Sequence, residues 1–553
     1  MRAVPPWAWA FLLYLCVALL TIGRAAIANP GGACACNAAS ADPAAYMWSL
    51  AWWPYALLHG ANPFFSHVIW APGGTNVAAA ATIPAAAIAL WPVTAVFGPL
   101  VSFNALAILG PPLGGLTAYL LCRRLASSNS AALMGGFLFA FSSSELTQSL
   151  GHANLALVFL IPVMVHLPLR RLAGELSGRR FITGMAVVFV VQALLSTEIL
   201  FDAVLIGAGT LIIGYYVAAR PLRPRIDVLA RETVIAGVAA GLVLLPYLLA
   251  ALASGQALRG GTYGLDALNL ITPTPITWLG GSLLRHVSAT FEHGFLSETG
   301  GYMSLPLLCA LAALARSTWR TQRKTQMLVL TFILSVTLAL GSPLHIAGHA
   351  VLPLPWDLLQ RLPLVPALVP SRIAIFAQLA VALSVAIWLT QAGSHGARRW
   401  LIAGLGVAAL FPNVAGAWWG GRPDDPSFFR TTQYEHYLTR GENVLIIPFG
   451  LYGDSMLWQA ETNFYFTMPG GYISDAAPTS PQDDRADASL YASSVAGARM
   501  SAKLIPVIRI YLRRYHIRHI VIEPGYQRGL APVLHRLASP SRQLGGILLY
   551  TVR

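Results

Sequence analysis

The chain has 553 residues, of which 56% are hydrophobic and 10% charged, against about 25% charge in soluble domains. That balance excludes an ordinary soluble enzyme and a disordered chain, and apolar runs near the roughly 20 residues needed to cross a bilayer point to a polytopic membrane protein. The formal charge of +14 does not signal nucleic-acid binding, because the arginines flank apolar runs instead of forming one stripe.

In chain order, the first predicted span covers residues 7–27 and is expected to be retained, since no small-residue cleavage site precedes a soluble domain. A Trp-, Pro- and Gly-rich first loop follows, over residues 28–99. Within it the apolar run 77–97 is interrupted by Pro84 and Pro92 and reads as a helix lying at the interface. Further spans are predicted at 100–121, 131–144, 154–169, 181–195, 203–219, 233–254, 301–315, 327–340, 373–392 and 400–418, about eleven in all. Arg123-Arg124, Arg170-Arg171, the cluster Arg220, Arg223 and Arg225, the cluster Arg316 to Lys324, and Arg398-Arg399 then fall on one side. By the positive-inside rule that side is cytoplasmic. The N-terminus is therefore predicted inside and the C-terminus outside, in a bacterial inner membrane.

Residues 420–553 differ in kind, with half of all the acidic residues and no spanning run. Strands are predicted at 444–448, 517–522 and 546–552, and helices at 500–515 and 531–537, with Pro506 as a kink or the true start of the first. The expected organisation is a membrane domain, 1–419, and a small extracytoplasmic α/β domain, 420–553. Five cysteines make no disulfide framework. A Cys34-x-Cys36 bridge is strained, which weighs against one there.

The predicted topology gathers Asp42, Glu145, Glu198, Asp202, Asp266, Glu292, Glu298 and Asp357 at the outer face. Asp42-Pro43 reads first as a helix start, with Asp42 as N-cap. A carboxylate there stays ionised and could also take a proton from a substrate hydroxyl. Tyr46 lies one helical turn on and shares its face. Glu198 and Asp202, at the predicted end of the 181–195 span, share a face if the helix continues. Two carboxyls so close favour either a shared proton or a bound cation. Solvated helix-end residues are the plain alternative. Arg372, after Pro370-Ser371, is an outer cation able to grip a phosphate, or equally a lipid headgroup contact. His152, Glu298 and Tyr302 are further substrate-binding candidates, and 458–461 and 468–472 could form a sugar-contact surface or serve only as core and turn. No His or Cys cluster has zinc spacing. No cofactor follows from the sequence; a divalent metal, with ligands such as Asp42, Glu198 and His152, is left open.

An acid in the first outer loop, an interfacial helix and then a span ending in basic residues resemble the GT-C class of integral-membrane glycosyltransferases. The layout is similar to that of the aminoarabinose transferases and protein O-mannosyltransferases. It covers roughly residues 1–400, with the Trp-rich stretches 50–63 and 70–76 as its local marks. The resemblance implies a mainly α, GT-C type transmembrane bundle. It also implies transfer of a sugar from a polyprenyl-phosphate donor to an extracytoplasmic glycan, lipid or protein, with inversion, and Asp42 as base. Arg372 is then assigned the leaving phosphate. Many members carry a second acid where this chain has Pro43, and Glu145 stands in the outer turn where another is common. The implied partners are the lipid-linked donor, the acceptor and membrane lipids. Two other readings stand beside this one: a transporter or flippase for a lipid-linked saccharide, and a non-catalytic polysaccharide assembly partner.

Overall fold

The computed structural model describes residues 4–37, 40–253, 263–281, 283–291, 295–362, 365, 368–391, 396–473, 484–495 and 499–553. Glu292 lies outside the described residues.

The architecture is mainly helical. Among the described residues, four helices are long and apolar enough to cross a membrane: Pro99–Ala126, Gly178–Leu195, Thr197–Val217 and Pro370–Leu389. A fifth results if Arg220–Val243 and Leu245–Leu252 count as one span, although they meet at a 69° bend. The sequence predicts one uninterrupted span there. Pro246 enters at the start of the second helix, where it withdraws a backbone N–H and breaks the ladder. Several other predicted spans are shorter than expected. Residues 154–169 become Leu160–Leu172, and 400–418 becomes Gly396–Leu410, because the flanking residues form turns. The interrupted run 77–97 forms two short helices, Pro84–Ala89 and Trp91–Phe97, each opened by its proline and neither long enough to cross.

Ala374–Leu389 is the central helix, with every residue buried. An apolar helix without a polar face is stable only when neighbours surround it. Here Asn129–Ala140, Leu305–Thr318 and Arg323–Ala339 pack around it. Pro99–Ala126 crosses Asn129–Ala140 closely at Gly115 and Gly136, where small residues let the backbones approach. A Cβ on Gly136 would lie 2.7 Å from the Gly115 carbonyl oxygen and would strike the fully buried Tyr14 ring. Gly136→Ala is therefore expected to destabilise by about 1–3 kcal/mol, the usual cost of overpacking, read as a lower thermal unfolding midpoint in detergent.

The C-terminal segment carries a four-stranded sheet in the order Leu445–Ile447, His519–Ile522, Ile547–Thr551, Arg542–Leu544. The first pair is parallel and the others antiparallel. Helix Ile505–Arg514 has Pro506 as its second residue, so the proline lies in its opening turn and does not kink it. The edge strand Arg542–Leu544 and the helices Ser455–Glu461 and Asp484–Ser493 carry weak periodicity and were not predicted.

This segment and the first loop share one core. Gln459 is fully buried, accepts from the Trp48 indole N–H, and donates to the carbonyls of Val68 and Phe466. Backbone bonds between 68–71 and 468–470 join the two chain regions directly. Cys34 and Cys36 are joined by a disulfide, against the expectation from strain; their Cα atoms are 5.1 Å apart, inside the usual bridging range.

Candidate active site

Asp42 opens helix Asp42–Leu58 as its first helical residue. Ala41 takes the N-cap position and no side chain caps the end, so the expected role of Asp42 as N-cap is corrected. Its two oxygens are turned elsewhere. Tyr472 donates its hydroxyl to Oδ1 at 2.9 Å, and His152 Nε2 lies 2.9 Å from Oδ2. Burial raises the Asp42 pKa, but the hydrogen bond and charge of His152, the Tyr472 hydroxyl and the Arg372 charge together hold it below the usual carboxylate range. The side chain remains about one quarter exposed, so the carboxylate is reachable.

His152 follows the short helix Ser143–Gln148, whose N-terminus is capped by Ser142. Its Nδ1 lies 2.7 Å from Gln148 Oε1. Gln148 in turn donates Nε2 to the Ser297 carbonyl at 3.0 Å. Ser297 immediately precedes Glu298, so one polar chain runs from Asp42 to the cationic side of the site. Tyr46 shares the Asp42 face, as its spacing predicts, and donates to Asn154 Oδ1. Burial, then the Asp42 charge, pushes its pKa well up, so it acts as a neutral donor.

Arg372 sits in the 3-10 turn Pro370–Ile373 that leads into the central helix. Nη1 contacts Glu198 Oε2 at 2.5 Å, and Nη2 contacts Glu298 Oε1 at 2.7 Å. Nε also donates to Glu298, at 3.2 Å. Ser371 donates to Glu298 Oε2 at 2.7 Å, and the Val369 N–H donates to Glu198 Oε1 at 3.2 Å. The guanidinium is thus already held by two carboxylates, which the sequence did not reveal. For Glu298, burial raises the pKa, and the Arg372 charge and bonds more than offset it, leaving the carboxyl below its ordinary range.

Glu198 and Asp202 do not end the preceding helix as predicted. The chain breaks at Ser196, whose side chain caps a new helix, Thr197–Val217, and both acids occupy its first turns. Asp202 is fully buried, with Glu198 and Arg372 as its electrostatic neighbours. Tyr302 packs in the apolar core with Met303 and Leu307 and does not join the charged cluster through any described hydrogen bond. Of the remaining predicted outer acids, Asp266 accepts the N–H groups of Leu268, Ala347 and Gly348 and so anchors the hairpin of Leu344–Ile346 and His349–Leu352. Asp357 is exposed on the short helix Trp356–Leu359. Among the described residues, no group of three or more His, Cys, Asp or Glu is arranged to hold a metal ion.

Glu145 is 1% exposed, and neither of its oxygens has a hydrogen-bond partner among the described residues. It lines a small cavity with Ser144, Gln148, Leu155, Ile199 and Arg372. Burial pushes its pKa well above the ordinary value, so the folded protein holds the proton to higher pH than the unfolded chain does. The unfolded chain loses that proton above about pH 4.3. The folded state then binds more protons than the unfolded one, and stability falls by about 1.4 kcal/mol per pH unit between that point and the raised folded value. Glu145→Gln does not titrate. Its unfolding midpoint is expected to match wild type near pH 4 and to exceed it increasingly toward neutral pH; a constant difference across that range would contradict the assignment.

Residues 11–365 match a family model described as a domain of unknown function, DUF6311. The chain belongs to the DUF6311 family. No curated protein matches the sequence of this DUF6311 chain. Among the solved structures that share its fold are AglB and ArnT. Archaeal oligosaccharyltransferase AglB from Archaeoglobus fulgidus, in complex with an inhibitory peptide and a dolichol-phosphate, superposes with TM-score 0.50 at 12% identity, covering 99% of this chain and 74% of AglB. ArnT from Cupriavidus metallidurans in the apo state gives TM-score 0.50 at 12% identity, covering 98% of this chain and 97% of ArnT. The DUF6311 chain therefore has the fold of the GT-C membrane glycosyltransferases, as its first-loop acid and basic-ended span led us to expect.

Proposed function

We propose that this chain is a membrane glycosyltransferase that moves a sugar from a polyprenyl-phosphate donor to a hydroxyl of an extracytoplasmic glycan, lipid or protein. The observation that carries the reading is Asp42: ionised, partly exposed, oriented by His152 and Tyr472, and close enough to Arg372 to feel its charge. The fold shared with AglB and ArnT supports it, as does the dolichol-phosphate held by AglB, a lipid phosphate of the class we assign to the donor.

In this mechanism Asp42 accepts the proton of the acceptor hydroxyl while its oxygen attacks the anomeric carbon from the face opposite the phosphate. The bond from that carbon to the phosphate oxygen breaks with inversion, and the polyprenyl phosphate leaves carrying the negative charge. Arg372 stabilises that charge. Its donors are engaged by Glu198 and Glu298, so the phosphate must loosen one of those contacts to reach it. Tyr46, His152, Glu198, Asp202, Glu298 and Tyr302 are the substrate-binding set of this reading, with Tyr302 contributing shape only. We place about eleven spans in the membrane, with the N-terminus cytoplasmic and residues 420–553 outside as an α/β domain that covers the site.

The test uses purified full-length protein in liposomes, a panel of labelled undecaprenyl-phosphate monosaccharides, and acceptor supplied by cell-envelope extract. Release of undecaprenyl phosphate with label moving into the extract, lost in Asp42→Asn, is the expected result. Full release by Asp42→Asn removes the base, and movement of intact lipid across the bilayer without bond cleavage makes the chain a flippase.

A further inference from the structure

The hydrogen bonds around His152 determine more than its position. Both ring nitrogens face acceptors: Nε2 meets the Asp42 carboxylate and Nδ1 meets Gln148 Oε1. The second statement depends on which way the Gln148 amide points, and the Ser297 carbonyl decides it. Gln148 Nε2 donates to that carbonyl. Turning the amide over would place its oxygen against another oxygen and its NH2 against a ring nitrogen, exchanging one good bond for a repulsive contact. A neutral imidazole carries one N–H and can serve only one of two facing acceptors.

We infer that Gln148 is a positioning residue that holds His152 as a doubly protonated imidazolium against the ionised Asp42. This deepens the reading of Asp42 as base and rests on it for its catalytic meaning, though not for its geometry. The groups facing His152 are the Asp42 carboxylate from helix Asp42–Leu58, Gln148 from the preceding turn, and Glu298, on which the His152 charge acts, from the turn Leu296–Glu298. Tyr472 and Arg372 stand behind Asp42, and Glu198 behind Arg372.

The cation has a purpose in a site that must admit a lipid phosphate. With a neutral His152, the carboxyls of Asp42, Glu198 and Glu298 would face a single guanidinium. With the imidazolium they face two cations, and an incoming anion meets less repulsion. The charge also keeps Asp42 unprotonated until the acceptor hydroxyl arrives. Once Asp42 takes that proton, the cation stands beside a neutral carboxyl, which favours release of the proton to solvent and restores the pair.

The experiment is solid-state or solution 15N NMR of the full chain in nanodiscs at neutral pH, with 15N-labelled histidine and the His152 signals assigned by their loss in His152→Asn. In wild type both His152 ring nitrogens are expected to carry protons. Gln148→Leu, which removes the acceptor at Nδ1, is expected to convert the ring to a single-proton tautomer, and Gln148→Glu, which restores an acceptor there, to return the doubly protonated ring. A single-proton tautomer in wild type overturns the inference without reference to any variant, as does an unchanged imidazolium in Gln148→Leu. No sugar transfer is read in this measurement, so its failure leaves the Asp42 base reading to its own assay, and failure of that assay leaves His152 unaffected.

Discussion

Asp42→Asn is expected to lower the rate of sugar transfer by about 10²–10⁴-fold, the usual contribution of a positioned general base, while leaving the protein folded. The amide has nearly the shape of the carboxylate, and its oxygen can still accept from Tyr472, which donates to Oδ1 in the native site. What it cannot do is take a proton. The amide nitrogen would also face His152 Nε2, so the loss is one of charge and acceptor capacity. Donor affinity separates this from a binding defect: undecaprenyl phosphate should bind Asp42→Asn at least as well as wild type, because one negative charge has gone from a site that receives an anion. The pH dependence follows from the lowered Asp42 pKa. A depressed carboxyl contributes its stabilisation above the unfolded value, about 3.9, and loses it only as pH falls through the lower folded value. The base form therefore persists to below about pH 4, and an acid limb in turnover above pH 5 would have to come from another group.

The second large effect is expected at Arg372. Arg372→Leu leaves Glu198 and Glu298, each bonded to the guanidinium in the native site, without their cation. Both carboxyls are largely buried: the Glu298 side chain is 6% exposed and that of Glu198 17%. Removing one partner of a buried ion cluster typically costs about 3–5 kcal/mol, because the remaining charges stay desolvated and unpaired. The unfolding midpoint should fall accordingly, and transfer should be lost with it. A triple variant, Arg372→Leu with Glu198→Gln and Glu298→Gln, distinguishes fold from function. It removes the unpaired charges and should regain most of the stability, yet it has no cation for the leaving phosphate and should stay inactive. Recovery of activity in the triple variant would show that Arg372 serves only the fold. Arg372→Lys should fall between, since a single ammonium cannot hold two carboxylates in the forked geometry of Nη1 to Glu198 and Nε with Nη2 to Glu298.

Much of this site could be read from the chain, but unevenly. Asp42, Tyr46, Glu198 and Arg372 stand out from local features: an Asp-Pro start, a four-residue spacing, a basic residue on the side where the positive-inside rule disfavours one; His152 stands out only by its place in the outer turn where the resemblance expects an acid. Gln148 was missed. Its signal was present, since it stands one helical turn before His152 and the His152 N–H bonds back to its carbonyl, but a glutamine beside a histidine is too common a pairing to single out. Tyr472 was reached only as part of a possible sugar-contact surface. Its bond to Asp42 spans 430 residues of sequence, and nothing local to 468–472 predicts it. Glu145 reads from the sequence as an outer-turn acid and is buried in the structure, beside a small cavity also lined by Leu155 and Ile199. The long polar loops were the hardest to assign, for their residues have no periodicity and take their structure from the partners they meet.

Composition and spacing alone determined that this is a membrane protein built on helices, with a carboxylate, a histidine and an arginine toward one end and a C-terminal segment of different character. Those features follow from the free energy of placing apolar and charged residues in or beside a bilayer, which each stretch of chain pays locally. Only the tertiary structure decided which acids meet: that Glu198 and Glu298 close on Arg372, that Tyr472 and His152 close on Asp42, and that Gln148 and Ser297 link the two groups. A hydrogen bond or ion pair exists only when two side chains are brought to within about 3 Å in the right orientation, and for residues distant in sequence that proximity is a property of the packed helices and not of any segment taken by itself.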